Sequence, residues 1–335
     1  MKFSINGRKI GGKNPSYIIA EIGVNHDGNM GIAVSLIVSA KSAGADAVKF
    51  QAFRTENLAH RKTPQFELLS SLEFSIDNLN KLKLFCDSIG IQFLISVFDC
   101  QSLKNILNLS VSAIKIPSGE ITNEPLINAA VDTNLPLIIS TGMSYLNEVE
   151  EVASLLKKRN ALDRTAFLHC VSAYPAPVEA VNLRVIQTMK NILKRPAGFS
   201  DHTNSITAAA AAVSLGACII EKHFTYSKSA KGPDHSSSLT PSEFSLMVKY
   251  IREAESALGD GVKQVMECEK NMRTSSRRGI YAARKIRTGK IINESDIIFK
   301  RPSLTELKLR DVCGKRSMRE IEAESPVFSD YLNTL

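Results

Sequence analysis

The strongest constraint on what this chain can fold into is a regular alternation. Eight short apolar runs of strand character succeed one another, with helical stretches between them. The strand runs are Tyr17 to Ile22, Ala47 to Phe50, Gln92 to Val97, Ala113 to Ile116, Leu137 to Ser140, Ala166 to Cys170, Pro196 to Phe199 and Cys218 to Glu221. Helical periodicity covers Ile32 to Ala43, Asn78 to Ile89, Leu146 to Lys158, Ile206 to Leu215 and Ser242 to Leu258. Eight such units in about 240 residues predict an α/β fold of the (β/α)₈ barrel type, whose active site lies where the strands end. The rival, a doubly wound sheet, needs a glycine-rich phosphate loop after an early strand, and no Gly-x-Gly-x-x-Gly is present.

With 335 residues, 44% of them hydrophobic, the chain can bury a barrel core and leave residues for a small second domain. No apolar stretch is long enough to span a bilayer, and Met1 to Gly7 lacks the apolar run of a signal peptide, so a cytoplasmic protein is expected. The six cysteines (Cys86, Cys100, Cys170, Cys218, Cys268 and Cys313) form no Cys-x-x-Cys pair and read as reduced packing residues. A net charge of +8 raises the question of nucleic acid. The basic residues are scattered and not interleaved with aromatics, so neither nucleic acid nor membrane is the expected partner; a positive field also favours anionic small substrates.

Nearly every strand delivers a polar group at or just beyond its C-terminal end: Glu21, Asn25 and His26; Lys49 and Gln51; Ser96; Lys115, Ser118 and Glu120; Ser140 and Thr141; His169; Ser200, Asp201 and His202; Glu221 and His223. Lys49 and Lys115 stand inside otherwise apolar strands, where a charge is costly without an anionic partner. That partner is either a substrate carboxylate or phosphate, with Ser96, Ser118 and Ser200 completing a cradle, or an internal carboxylate, for example Glu21 with Lys49. His202 and His223 follow the last two strand runs, so they are candidate ligands of one divalent metal, each with a carboxylate (Asp201, Glu221) nearby in sequence. The alternative is two packed histidines tied to carbonyls.

The cluster Arg273-Thr274-Ser275-Ser276-Arg277-Arg278 reads as an interdomain linker. Expected boundaries are 1–265 for the barrel, 266–278 for the linker and 279–335 for a small β-rich module that serves as a dimerisation piece or a lid.

The motifs Ala20-Glu21-Ile22-Gly23-Val24-Asn25-His26-Asp27-Gly28, Val48-Lys49-Phe50-Gln51, Lys115-Ile116-Pro117-Ser118-Gly119-Glu120, Ser140-Thr141-Gly142-Met143, His169-Cys170 with Tyr174-Pro175, Phe199-Ser200-Asp201-His202, Glu221-Lys222-His223-Phe224 and Gly232-Pro233-Asp234-His235 resemble, in order, those of the sialic acid synthase family. The stretch Ile280 to Tyr331 is similar to that family's C-terminal antifreeze-like (SAF) domain. The resemblance covers essentially the whole chain. It implies an enzyme that condenses phosphoenolpyruvate with the open-chain aldehyde of an N-acylated amino sugar, giving a nine-carbon 2-keto-3-deoxy acid and phosphate. The sugar would be N-acetylmannosamine or a 2,4-diacetamido-2,4,6-trideoxyhexose.

The same resemblance implies a divalent cation, Mn²⁺ or Mg²⁺, on His202 and His223. It places phosphoenolpyruvate on Lys49, Ser96, Lys115, Ser118, Ser172 and Ser200, with Glu21 as general acid/base and Glu21, Lys49 and Lys115 as the catalytic group. Gln51, Glu120, Tyr174, Glu221 and Asp234 fall on sugar-side positions. Arg301 matches an arginine that one subunit inserts into its partner's barrel to meet the N-acyl group, which implies a domain-swapped homodimer. The chain departs from the family pattern in carrying Ser96-Val97-Phe98 where Thr-Pro-Phe is common and Ser172 where asparagine is common, each leaving a hydroxyl at a phosphate position, and in carrying the shorter Ser303-Leu304-Thr305-Glu306-Leu307 where a glycine-rich loop is common. Two other classes are a binding or scaffold protein without turnover, and a lyase using a Schiff base on Lys49 or Lys115.

Overall fold

The computed structural model describes residues 3–333 and divides into two compact units, Met1–Gly259 and Asp260–Leu335. The first unit opens with an antiparallel hairpin, β1 (Phe3–Ile5) and β2 (Arg8–Ile10). Eight further strands follow: β3 (Tyr17–Gly23), β4 (Ala47–Ala52), β5 (Gln92–Val97), β6 (Ile114–Ile116), β7 (Leu137–Ser140), β8 (Thr165–Cys170), β9 (Ala197–Asp201) and β10 (Ile219–His223). They pair in parallel, each with the next, and β10 returns to β3, so the sheet is the closed (β/α)₈ barrel that the alternation predicts.

Helices lie between the strands. Those at Met30–Ser42, Ile76–Ile89, Leu146–Lys158, Ala208–Ser214 and Pro241–Leu258 match the periodic stretches of the sequence. Three more, Cys100–Leu107, Glu124–Asp132 and Val185–Leu193, lie outside those stretches. Side-chain caps announce two of them: Asp99 accepts from Ser102 N, and Asn123 from Leu126 N. Strands β9 and β10 each extend two residues beyond the apolar runs, to Asp201 and His223. The backbone ladder continues there because the neighbouring strands still offer partners, whatever the polarity of the side chains.

Side-chain alternation sorts the barrel into layers. Ile18, Ala20, Ile22, Val48, Phe50, Phe93 and Ile95 face outward and pack with the helices. Tyr17, Ile19, Ala47, Leu94, Ala113, Ile138, Ala166, Leu168 and Ile219 form a separate inner cluster with Phe3, Ile5 and Ile10 of the hairpin. The hairpin therefore plugs the N-terminal end of the barrel, and each of its buried side chains contributes about 1.5–3 kcal/mol. Its sequence signal is Asn6-Gly7, where positive φ at both residues (46° and 76°) suits a type I′ turn. One step further along the same inward faces, the apolar layer gives way to Glu21, Lys49, Ser96, Lys115, Cys170, Ser200, Glu221 and His223, all buried.

The second unit holds an antiparallel pair, β11 (Gly279–Ala282) with β12 (Ile297–Lys300), and isolated bridges such as Ile286 to Ile321. Its own core is Ile280, Ala282, Ile286, Ile292, Ile297, Val312, Ile321, Val327 and Leu332. The stretch 266–278, expected as a linker, carries the helix Lys270–Ser276 within this unit. Cysteines are free; Cys86, Cys170 and Cys218 are buried, whereas Cys268 is exposed, against the expectation of packing for all six.

Candidate active site

Strand register assembles the site. Glu21 lies opposite Lys49 on β4 and opposite His223 on β10. Ser96 lies opposite Gln51 and Lys115, and Ser200 opposite Cys170 and Glu221. The inward side chains at these positions meet at the C-terminal mouth of the barrel.

Four charges occupy its centre. Lys49 Nζ is 2.7 Å from Glu221 Oε1 and 3.4 Å from Glu21 Oε2, and Lys115 Nζ is 3.7 Å from Glu221 Oε1. Ser200 Oγ donates to the same Glu221 oxygen at 3.1 Å, and Gln51 Nε2 donates to Glu21 Oε1 at 3.1 Å. The buried lysines thus have internal carboxylate partners, the second of the two possibilities open at the sequence level. Glu221, expected beside the sugar, has its carboxylate packed between both lysines and Ser200.

These surroundings set the ionisation. Burial would raise Glu221, but Lys115 and Lys49 overcome it and hold the carboxyl down at about 2. Burial and the Glu221 charge keep Glu21 above the ordinary carboxylate range against the pull of Lys49. Lys49 is raised because Glu21 and Glu221 outweigh its desolvation. Lys115, with one longer carboxylate contact, is pushed down by burial to about 8. The two glutamates, both on Lys49, are therefore driven apart, one toward the proton and one away from it.

Next to this cluster the imidazole rings of His202 and His223 lie 5.4 Å apart. His202 Nδ1 donates to the Val171 carbonyl at 2.9 Å, which leaves Nε2 as a lone-pair donor, and burial lowers its pKa to about 3, so it is neutral. His223 Nδ1 is buried without a hydrogen bond and has Asp234 Oδ2 at 3.7 Å. One neutral, oriented imidazole beside one with an orphaned nitrogen suits a divalent cation. Among the described residues no cluster of three or more His, Cys, Asp or Glu forms a complete cage. A cation here would fill its remaining positions with water or substrate oxygens.

The carboxylates nearest in sequence do not support these histidines. Asp201 and Lys222 alternate to the outer side, where they form a fully buried pair at 2.8 Å, and Lys222 Nζ also donates to the Thr203 carbonyl. The support comes instead from the Val171 carbonyl and from Asp234. Two other histidines at strand ends are packed residues: His26 stacks on Phe74 at 3.8 Å, and His169 Nε2 bonds the Val181 carbonyl at 2.6 Å.

Of the remaining expected residues, Ser118 accepts from Gly142 N at 3.0 Å. A Cβ at Gly142 would come within 2.2 Å of Ser172 Oγ and 2.8 Å of Ser118 Oγ, so the two hydroxyls close on one spot that only glycine leaves open. Tyr174 stacks on His202 at 4.3 Å and meets His223 edge-on. Glu120 accepts from Asn123 Nδ2 at 2.7 Å. Arg301 belongs to the second unit and is exposed. Sequence reasoning missed Cys170, whose Sγ is 3.6 Å from His202 Nδ1, although the inward parity of Ala166 and Leu168 points to it. It also missed the clamp that seats the loop of Asp234: Asp27 accepts from His235 Nε2 at 2.9 Å and from Tyr226 Oη at 2.8 Å.

Comparison with known proteins identifies the family. Residues 36–263 match the model of the NeuB family. The chain is 38% identical to the N,N'-diacetyllegionaminic acid synthase of Legionella pneumophila over 98% of both chains. It is 33% identical to the human N-acetylneuraminate-9-phosphate synthase over 98% of this chain and 95% of that one. The crystal structure of the N-acetylneuraminic acid synthetase from Leptospira borgpetersenii, in complex with citrate, superposes with a TM-score of 0.77 at 34% identity, covering 81% of this chain and 95% of that one. By family match and by identity along nearly its whole length, the chain belongs to the NeuB family of sialic acid synthases.

Proposed function

We propose that the protein condenses phosphoenolpyruvate with the open-chain aldehyde of an N-acylated hexosamine, releasing phosphate and a nine-carbon 2-keto-3-deoxy acid, in the cytoplasm. The observation that carries this reading is the convergence, at one barrel mouth, of two buried lysines, two glutamates of opposed ionisation and a histidine pair. Higher identity to the legionaminic acid synthase than to the N-acetylneuraminate-9-phosphate synthase (38% against 33%) ranks a 2,4-diacetamido-2,4,6-trideoxyhexose ahead of N-acetylmannosamine.

In this reading Lys49, Lys115 and the hydroxyls of Ser96, Ser118, Ser172 and Ser200 receive the phosphate and carboxylate of phosphoenolpyruvate. Its methylene carbon attacks the aldehyde carbon, forming the new C–C bond, and the aldehyde oxygen becomes a hydroxyl. Water adds at C2, and the phosphate leaves to give the 2-keto acid. Glu21, with its raised affinity for a proton, transfers protons beside the reacting carbons. His202 and His223 would hold a Mn²⁺ or Mg²⁺ ion, which supplies polarisation of the aldehyde and orientation of a water. Gln51, Glu120, Tyr174 and Asp234 face the sugar. Arg301, carried by a SAF-type second domain, reaches the acyl group from the partner subunit of a domain-swapped homodimer, where its planar guanidinium suits an acyl oxygen.

The test is phosphate release from phosphoenolpyruvate against a panel of N-acyl hexosamines, with the diacetamido trideoxyhexose expected to give the highest kcat/KM. Equal, background rates with every sugar would overturn the reading.

A further inference from the structure

One oxygen of Glu221 draws three polar groups together. Oε1 takes Lys49 Nζ at 2.7 Å, Lys115 Nζ at 3.7 Å and the hydroxyl of Ser200 at 3.1 Å, three groups of the anion cradle proposed above. Its other oxygen, Oε2, is buried with no hydrogen-bond partner, so the carboxylate is held from one side only. The side chains of Glu221 and of both lysines are no more than 6% exposed, so solvent screens their interaction little. With Glu21 included, the centre holds two positive and two negative side chains. An entering phosphate or carboxylate therefore meets a site whose cations are already engaged by carboxylates.

We propose that Glu221 is an internal competitor for the substrate anion: it gathers Lys49, Lys115 and Ser200 while the site is empty and yields them when phosphoenolpyruvate enters. Its role is positioning rather than sugar contact. Two consequences follow from elementary electrostatics. Holding the ammonium groups in place avoids two unpaired buried charges in the free enzyme. Keeping a like charge beside the bound anion weakens its binding and so eases departure of the phosphate product.

This inference rests on the reading of the site as a phosphoenolpyruvate site, and the test separates the two. Titration calorimetry of the full-length, Mn²⁺-supplemented protein with phosphoenolpyruvate and with inorganic phosphate gives both dissociation constants directly. Glu221→Gln keeps the shape and an acceptor for Ser200 and Lys49 but removes the charge. It is expected to bind both anions about tenfold more tightly, while kcat falls and inhibition by phosphate strengthens. Should the glutamine variant not fold, Glu221→Asp, which draws the carboxylate back by one methylene, carries the test with the same sign and a smaller gain.

Unchanged or weaker anion binding in the folded variant, above all together with a raised KM for the sugar alone, would overturn the proposal and return Glu221 to the sugar side. A wild-type protein that binds neither anion would overturn the reading of the site itself.

Discussion

Glu21 on β3 and His223 on β10 stand opposite one another in register across the seam that closes the barrel. Closure thus brings the first strand of the barrel to its last, and the Glu21 carboxyl to the histidine pair. Lys49, in register with Glu21 on its other side, completes a row of base, carboxyl and cation across three adjacent strands. Any variant that changes the row tests both fold and chemistry.

Metal dependence is the first expectation. Chelation should abolish turnover and Mn²⁺ should restore it. His202→Ala, which removes few packing atoms, should fold with a near-native melting curve yet bind Mn²⁺ at least tenfold more weakly by calorimetry. Full activity in excess chelator would contradict the assignment.

The lysines should separate binding from stability. Lys49→Met and Lys115→Met each remove a charged contact of about 2–5 kcal/mol to the anion, so KM for phosphoenolpyruvate should rise by tenfold or more while KM for the sugar moves less. Lys49→Met also leaves Glu21 and Glu221 without their shared cation, and its melting temperature should fall further than that of Lys115→Met. Steady-state kinetics and calorimetric scans read the two effects separately.

A pH profile singles out Lys115. Burial sets its pKa at about 8, so the ammonium is present below that pH and lost above it. The kcat/KM for phosphoenolpyruvate, which follows the free enzyme, should decline as pH rises through about 8. Lys115→Arg stays charged throughout, so whatever activity it retains should lose this alkaline limb. The same limb in the arginine variant would assign the titration to another group.

Behind the site, the Asp201 and Lys222 pair is buried at zero exposure. Lys222→Met strands the Asp201 carboxylate and should cost about 3–5 kcal/mol in chemical denaturation. The double variant Lys222→Met with Asp201→Leu should recover most of that loss.

Much of this molecule is legible in the sequence because a barrel repeats one simple rule. Strands buried on both faces read as apolar runs, so a polar residue inside one, such as Lys49 or Lys115, marks the mouth. What the sequence does not carry is which inward residue meets which. Glu221 lies two residues from His223 on the same inward face, yet its carboxylate crosses the barrel mouth to Lys49. Asp201, next to His202, faces the opposite side of the sheet because successive side chains alternate. The β1 and β2 hairpin escapes periodicity because three-residue strands are too short to show one; only its Asn6-Gly7 turn marks it. Contacts through backbone, such as the Val171 carbonyl on His202, have no side-chain signature at all.

The central claim is one coupled reaction at the barrel mouth, and mass spectrometry of the product with parallel phosphate quantification tests it most directly. With phosphoenolpyruvate and the preferred N-acyl hexosamine, the account predicts one phosphate released per molecule of a 2-keto acid three carbons longer than the sugar, and no phosphate from either substrate alone. Phosphate release that does not need the sugar, or a borohydride-trapped pyruvyl adduct on Lys49 or Lys115, would contradict it.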